Sequence, residues 1–140
     1  MQCTAALLVR EIQAIDTSTP SLIGLVDAVS LNRSDTTITG MMLYVRFDPG
    51  NNPVKPEYSM VIKQQFVEPD ETAKLIKTLP PKPILFTRSP EIPTHIPWKG
   101  IQAAVALPPL DFPQTGLYRF DVMLDGYELA FPDLYVTVLE

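Results

Sequence analysis

The stretch Gly116-Leu117-Tyr118-Arg119-Phe120-Asp121-Val122-Met123-Leu124, followed by Asp125-Gly126 and a run from Tyr127 to Glu140, decides the fold. Apolar or aromatic side chains recur at every second position from Tyr118 to Leu124, which is the period of a half-buried strand. Asp125-Gly126 supplies the positive φ angles of a type I′ turn, the strongest short-range signal of a hairpin. The sequence therefore predicts a closing β-hairpin, and this hairpin carries no chemistry of its own.

Tyr118 stands near the start of this predicted strand, two residues after Gly116 and two before Phe120. The spacing is similar to the tyrosine corner of immunoglobulin-like sandwiches, in which a buried Tyr bonds upstream backbone through its hydroxyl. Phe120 occupies the position at which antibody domains place their second Cys, so apolar packing would replace the disulfide. The alternative is an ordinary antiparallel strand that happens to begin with a Tyr.

Outward from the hairpin, residues 1–140 show a succession of strand patterns without a clear helix or linker, which predicts a single domain. The expected fold is all-β: an antiparallel two-sheet sandwich of about eight or nine strands, an immunoglobulin-like or C2-like Greek key with a tyrosine corner. The run Ser21–Leu31 is apolar on both faces, as in a strand buried on two sides. The remaining predicted strands are Cys3–Ile12, Thr36–Asp48, Tyr58–Val67, Ile84–Thr87 and Gly100–Leu107.

Two segments allow more than one interpretation. Pro69-Asp70-Glu71-Thr72 is typical of a type I turn with Pro at its second position, and residues 72–79 then form either a returning strand or a short helix capped by Asp70. The β-rich surroundings favour the strand. Pro80-Pro81-Lys82-Pro83 could form a polyproline II segment for a partner groove, although such runs more often stiffen a crossing between sheets.

Charge and cysteine content exclude several classes of function. The net charge of −5 argues against nucleic-acid binding, which depends on Lys and Arg to neutralise phosphates. Cys3 is the only cysteine, so the sequence offers no disulfide framework and no thiol zinc site. No uncharged run approaches the ~20 residues of a membrane span, and the N-terminus lacks the pattern of a signal peptide. We expect a soluble cytoplasmic protein without a cofactor.

Three segments together resemble a family of small bacterial proteins catalogued as a domain of unknown function. They are Ala5–Val9, then Ser21–Asp27 with its central Gly24, then Gly116–Val122 with the Asp125-Gly126 turn. The resemblance implies an immunoglobulin-like or C2-like sandwich in a bacterial cytoplasm and implies no activity. The Pro-rich stretch from Pro80 to Pro113 departs from the family pattern, so a function carried by its loops is not transferable.

The sequence offers few residues suited to catalysis or metal binding. A nucleophilic triad would have to use His95, the only histidine, and no Gly-x-Ser-x-Gly elbow is present, so we expect no enzyme. Calcium in C2-like sandwiches is held by carboxylates gathered at end loops, but here they are spread singly, and six to eight oxygen ligands must lie close together. The carboxylates in question are Asp48, Asp70, Glu71, Asp111 and Asp125.

Trp98 is the most informative single residue outside the hairpin. In its Pro-stiffened loop near His95, it could anchor a partner or stack on a sugar ring, or it could simply plug the end of the sandwich, which we favour. Tyr127 and Phe131 would join it only if they share its face. The favoured function is therefore a non-catalytic module that binds a protein partner, or a second copy, through a sheet face, an edge strand or Pro-rich loops. A small-ligand or carbohydrate binder that uses Trp98 is the alternative.

Overall fold

The computed structural model describes residues 2–13, 20–50, 55–85, 93, 95 and 100–140, in which all regular secondary structure is β. The predicted all-β class is confirmed. None of the described segments forms a helix that is long and apolar enough to cross a membrane. The strands are β1 (Gln2–Gln13), β2 (Ser21–Leu25), β3 (Ala28–Asn32), β4 (Thr37–Ile38), β5 (Met42–Asp48), β6 (Glu57–Val67), β7 (Ala73–Thr78), β8 (Lys82–Leu85), β9 (Ile101–Ala106), β10 (Leu110–Asp111), β11 (Gly116–Leu124), β12 (Tyr127–Ala130) and β13 (Asp133–Leu139).

The strands form two main sheets. The first has four strands in the order β2-β1-β5-β9. The second has seven, in the order β3-β13-β11-β6-β7, with β12 beside β11 and β8 beside β6, and β10 and β4 make a separate short ribbon. Every pair is antiparallel except β13 with β3, which is parallel. The prediction of a purely antiparallel fold was therefore wrong at this one edge.

The predicted continuous strand Ser21–Leu31 is broken, and the break explains the parallel pair. The Val26 N–H donates to the Leu8 carbonyl of β1 at 2.8 Å, whereas the Asp27 carbonyl accepts from the Tyr135 N–H of β13 at 3.0 Å. Two successive residues thus bond to different sheets. The chain leaves the four-stranded sheet as β2 and enters the edge of the seven-stranded sheet as β3, so its apolar pattern comes from two half-strands rather than from one strand buried on both sides.

A second predicted strand, Thr36–Asp48, also divides. Gly40 has a φ of +75°, a left-handed conformation that interrupts a strand and that glycine adopts most readily. The first part, β4, pairs with β10, and the second, β5, pairs with β1 and β9. The described residues contain 13 strands where about eight or nine were expected. The difference comes from these two interruptions, from the short extra strand β10, and from the division of the run Tyr127–Glu140 into β12 and β13.

β11 is a central strand of the seven-stranded sheet, and none of its residues is exposed. It pairs with β6 along its length, from Leu117 opposite Val67 to Leu124 opposite Met60, and with β13 and β12 on its other side. The predicted alternation is confirmed, because the four apolar positions from Tyr118 to Leu124 are all 0 % exposed. The core around them draws side chains from both main sheets. The ring of Phe47 in β5, for example, meets the ring of Tyr58 in β6 edge-on at 5.3 Å.

The Tyr118 hydroxyl makes the backbone contact that the sequence predicts. It donates to the Gln114 carbonyl at 2.8 Å and accepts from the Gln114 N–H at 3.1 Å. The ring packs edge-on against Phe66 at 5.2 Å and Phe112 at 4.9 Å. Gly116 is required beside this cluster, because a Cβ there would lie 2.6 Å from Cε2 of Phe66.

Both predicted turns are confirmed. Asp125 and Gly126 have φ angles of +49° and +83°, and they close the hairpin between β11 and β12. In the turn after β6, the Glu71 N–H donates to the Glu68 carbonyl at 2.8 Å, which places Pro69 at the second position. Residues 73–78 then return as strand β7 beside β6, so the strand interpretation of this segment was correct and the helix interpretation was wrong.

The second half of the run Pro80-Pro81-Lys82-Pro83 is part of a strand and does not form a free polyproline helix. Lys82 and Pro83 belong to β8, which pairs with β6 through Pro83 opposite Ser59. The Lys82 ammonium also donates to the Ala106 carbonyl at the end of β9, at 2.8 Å. The expected strand at Ile84–Thr87 thus begins two residues earlier, at Lys82, and its last two residues lie outside the described part of the chain.

Replacing Tyr118 with Phe should cost on the order of 1 kcal/mol of unfolding free energy, because the substitution removes the hydroxyl and leaves both backbone groups of Gln114 without their partner. We expect a melting temperature lower by about 3 °C in thermal unfolding. Tyr135→Phe is the matched control, since that ring is 47 % exposed on β13. Equal melting temperatures for the two variants would contradict a structural role for the Tyr118 hydroxyl.

Candidate functional site

The outer face of the four-stranded sheet is the most unusual surface of the described chain. In β1, β5 and β9, side chains on one face enter the core, as Leu8, Leu43 and Val105 do. The residues between them point away from the core, and strand register places them side by side in rows. We define the outer face as Leu7, Val9, Ile23, Leu25, Met42, Tyr44, Ala104 and Ala106.

All eight of these side chains are apolar or aromatic, although they lie on the side of the sheet that faces away from the core. Leu25 is 64 % exposed, Ile23 42 % and Leu7 36 %. Val9 is fully buried among such neighbours, opposite Leu25 on one side and Met42 on the other. Tyr44 on this face is also buried, at 5 % exposed, so the exposed apolar area is concentrated on β2 and at Leu7 of β1. Exposed apolar side chains gathered on one sheet face are a sign of an interaction site.

The outer surface of the seven-stranded sheet carries charged side chains as well as exposed apolar ones. Arg119 of β11 lies opposite Gln65 and Asp133 and makes an ion pair with Asp133 at 3.0 Å. Asp121 lies opposite Lys63, and its buried Oδ1 has no hydrogen-bond partner among the described residues. Apolar side chains are exposed on the same sheet, where Tyr135 and Leu139 of β13 are 47 % and 49 % exposed. Charged and apolar side chains are thus mixed on this surface.

Polar groups border the outer face at two ends. The Tyr44 hydroxyl donates to Oε1 of Gln102 at 2.8 Å, and burial raises the pKa of Tyr44, so this hydroxyl stays protonated. At the other end, beside Ile23, Glu11 accepts a hydrogen bond from the Gln13 amide at 2.9 Å. An apolar centre with a polar border is the usual anatomy of a protein interface.

Three of the residues predicted to contact a ligand or partner lie in the described chain, and each of them is exposed. His95 is exposed in a turn, and Tyr127 is 63 % exposed in β12, just after the Asp125-Gly126 turn. Phe131 is 47 % exposed after the same strand. Trp98 lies outside the described residues, so the choice between plug, anchor and stacking platform stays a prediction.

The carboxylates considered for calcium lie in turns or accept hydrogen bonds from nearby groups. Asp48 accepts from the Gly50 N–H at 2.7 Å, Asp70 from the Thr72 N–H at 3.0 Å, and Asp111 from the Thr36 hydroxyl at 2.5 Å. Glu71 has a φ of +69° in the turn before β7. Within the described ranges, no group of three His, Cys, Asp or Glu residues is arranged to hold a metal ion.

Asp125 does more than the turn role predicted for it. Its Oδ1 accepts from the Ser59 N–H at 2.8 Å, and its own N–H donates to the Ser59 carbonyl at 2.9 Å. Its Oδ2 meets the Lys55 ammonium at 2.6 Å. The hydrogen bond from Lys55, followed by that from Ser59, lowers the pKa of Asp125. The carboxylate therefore fastens the hairpin to the beginning of β6.

Sequence reasoning missed Leu7, Ile23 and Leu25 as candidate site residues. The signal was present, because Ser21–Leu31 is apolar on both faces and β1 carries adjacent apolar residues at Leu7, Leu8 and Val9. For Ser21–Leu31, that pattern predicts a strand buried on both sides. The register shows instead that one apolar side of β1 and β2 enters the core while the other remains partly open to solvent.

Comparison with known proteins assigns no family to the chain. No protein-family model and no curated protein matches it. Among solved structures, one similar chain is the Pseudomonas fluorescens alkylpurine DNA glycosylase AlkC bound to DNA containing an abasic site analog. The TM-score is 0.41 at 9 % identity, over 94 % of this chain and 30 % of that one. Similarity at this level carries no functional argument.

Acid should weaken the fold partly through Asp125. Because its folded-state pKa lies below the unfolded value of about 3.9, the carboxylate contributes stability above that pH and loses it as the pH falls through the folded-state pKa. Asp125→Asn tolerates the positive φ but cannot titrate. Urea unfolding between pH 6 and about pH 2.5 should give a shallower loss of stability for the variant. Identical pH dependence in the two proteins would contradict this role.

Proposed function

We propose that this protein is a non-catalytic interaction module, built as a two-layer sandwich, that binds a protein partner through the outer face of its four-stranded sheet. One observation carries the proposal: strand register places Leu7, Ile23 and Leu25 on one face of the four-stranded sheet, and all three are partly exposed. Burial of exposed Leu and Ile side chains under a partner surface is favourable by about 25 cal/mol per Å² of apolar area.

The partner that fits this face is a second protein with an apolar patch, and the border of the face carries both signs of charge, Glu11 at one end and Arg46 near Tyr44 at the other. Glu11 stands at the border of the face, hydrogen-bonded only to the exposed Gln13 amide among the described residues. The whole chain carries a net charge of −5, which favours approach of a basic partner and opposes approach of a second copy. Charge on the rim would set the association rate and its salt dependence, and apolar contact at the centre would supply the affinity.

The sandwich architecture, immunoglobulin-like or C2-like, belongs to the same proposal. It is supported by the shared core of the two sheets, by the ring contact between Phe47 and Tyr58, and by the chain crossing at Val26–Asp27. The backbone hydrogen bonds of Tyr118 fit the tyrosine corner of such folds. The resemblance of the three segments to a bacterial family of unknown function agrees with this architecture and remains a proposal with it.

A non-catalytic role is supported by the state of the residue best suited to nucleophilic chemistry. Burial raises the pKa of Cys3, whose thiol donates to the Ala5 carbonyl at 3.3 Å, so the reactive thiolate is disfavoured. A lone cysteine in its thiol form also fits a reducing compartment, and we propose a cytoplasmic location. The alternative of a small-ligand or carbohydrate site at Trp98 depends on residues outside the described part of the chain.

The substitution Leu25→Glu tests the proposal. It places a charge at the most exposed point of the outer face and should leave folding within about 0.5 kcal/mol of wild type, as expected of a surface position. The matched control is Leu75→Glu, because Leu75 is 53 % exposed on β7, at an edge of the other sheet. A partner found by proximity labelling in the native host should be purified and titrated by calorimetry against the wild type and the two variants.

We expect Leu25→Glu to weaken binding about tenfold or more, Leu75→Glu to leave it unchanged, and added salt to weaken it. A partner whose affinity is insensitive to Leu25→Glu would contradict the assigned face. A homodimer in light scattering that Leu25→Glu dissociates would show that a second copy, rather than a basic partner, covers this face.

A further inference from the structure

A cavity of about 440 Å³ lies beside β3, away from the outer face described above. Its walls are two runs of consecutive residues, 28–31 in β3 and 37–41 in and after β4, and Val26 and Arg10 also line it. A cavity over one face of a strand would be lined by every second residue, because successive side chains point to opposite faces. Consecutive lining residues mean that the cavity lies along the free edge of β3.

The backbone groups of β3 that face this edge follow from its hydrogen bonds to β13. The Asp27 carbonyl accepts from Tyr135 at 3.0 Å, and the Arg33 N–H donates to Leu139 at 2.8 Å. Alternate residues of a strand direct their N–H and C=O groups to opposite edges, so those of Val29 and Leu31 also point toward β13. The groups of Ala28 and Ser30 therefore point into the cavity.

This free edge is closed at one end and open at the other. At the C-terminal end of β3, Asn32 forms a bridge with Asp35, whose N–H donates to the Asn32 carbonyl at 3.0 Å. No described residue pairs with Ala28 or Ser30 on this side, and both are exposed. An edge strand with open backbone groups is a template for a further strand.

The floor of the cavity is apolar, and Ser30, Thr37 and Thr39 add polar groups to its lining. Val26 and Met41 belong to the buried core, and Val29, Leu31 and Ile38 pack against that core while remaining partly exposed. A strand added to β3 would direct every second side chain toward this floor and the others toward solvent. The cavity thus favours a peptide with apolar residues at alternate positions.

Arg10 supplies the only charge among the described residues that line the cavity. Its side chain lies over Gly24, where a Cβ would come within 3.1 Å of the Arg10 Cδ. It makes no ion pair with any described residue. A guanidinium that has no ion-pair partner in the described part of the chain, beside a cavity with an apolar floor, is suited to bind a carboxylate through two parallel hydrogen bonds.

We propose that this cavity binds the C-terminal segment of an extended peptide, which pairs antiparallel with β3 and places its terminal carboxylate on the Arg10 guanidinium. The direction follows from the position of Arg10, which lies beside Gly24 and Val26 and so at the N-terminal end of β3. An antiparallel strand ends at that point, and a parallel one would begin there. The site is independent of the outer face.

The experiment selects peptides from a library of random heptapeptides with free C termini on the full chain. The strongest binder is then synthesised as the free acid and as the C-terminal amide. Both are titrated against wild type, Arg10→Gln and Arg33→Gln by fluorescence anisotropy. Arg33→Gln is the matched control, because it removes an exposed Arg at the opposite end of β3, where Arg33 pairs with Glu140. Amide hydrogen exchange of the complex is followed by NMR.

We expect the amide form and the Arg10→Gln variant each to weaken binding about tenfold, and Arg33→Gln to leave it unchanged. Binding should slow the exchange of the Ala28 and Ser30 amides, with little change at Val29 and Leu31. The proposal is overturned if no sequence is enriched, if free acid and amide bind equally, if Arg33→Gln matches Arg10→Gln, or if the Ala28 and Ser30 amides stay unprotected. Leu25→Glu should bind the peptide normally, so failure of either proposal leaves the other in place.

Discussion

The burial of Tyr118 against Phe66 and Phe112 is the interaction on which the rest of the fold depends. Its ring can enter the core only because its hydroxyl finds both backbone groups of Gln114, which replace the water that the hydroxyl loses. Gly116 leaves the space that the Phe66 ring occupies. These contacts fix the start of β11, and β11 in turn organises the seven-stranded sheet by pairing with β6, β12 and β13.

Another buried polar group in the core also has a backbone hydrogen-bond partner. Gln64 of β6 is 1 % exposed, and its side-chain amide donates to the Asp111 carbonyl at 2.9 Å. Phe112, next to Asp111, donates its N–H to the Thr36 carbonyl and packs on Tyr118. The Gln64 side chain thereby joins β6 to the β10–β4 ribbon and helps to fix the position of the Phe112 ring. The cost of burying the Gln64 amide is offset by a hydrogen bond that also specifies the arrangement.

The local parts of the fold could be predicted from the sequence, and the non-local parts could not. The hairpin at Asp125-Gly126, the turn at Pro69 and the Tyr118 contact with Gln114 involve residues at most four positions apart, so spacing and side-chain type determine them. The parallel pairing of β3 with β13 joins residues about a hundred positions apart and has no local signature. Hydrophobicity also could not show that Val26 and Asp27 bond to different sheets.

The candidate surfaces illustrate the same limit. Alternation identifies apolar positions on both sides of β1 and β2, but it cannot say which side another element covers, because that depends on how the sheets stack. Leu25 and Ile23 were therefore expected to be buried and prove to be exposed. The unpaired edge of β3 depends on the same crossing at Val26–Asp27. Both proposed binding surfaces thus lie where the chain changes sheets, a place that sequence patterns do not reveal.

Site-resolved amide hydrogen exchange of the free protein tests the central claim that β11 organises the fold. Opening its central amides, at Phe120 and Val122, should require global unfolding, so their exchange should be the slowest in the chain and should follow the unfolding free energy as urea is added. Amides of the edge strands β2 and β7 should exchange faster through local opening. Exchange at Phe120 and Val122 as fast as in β7 would contradict the account.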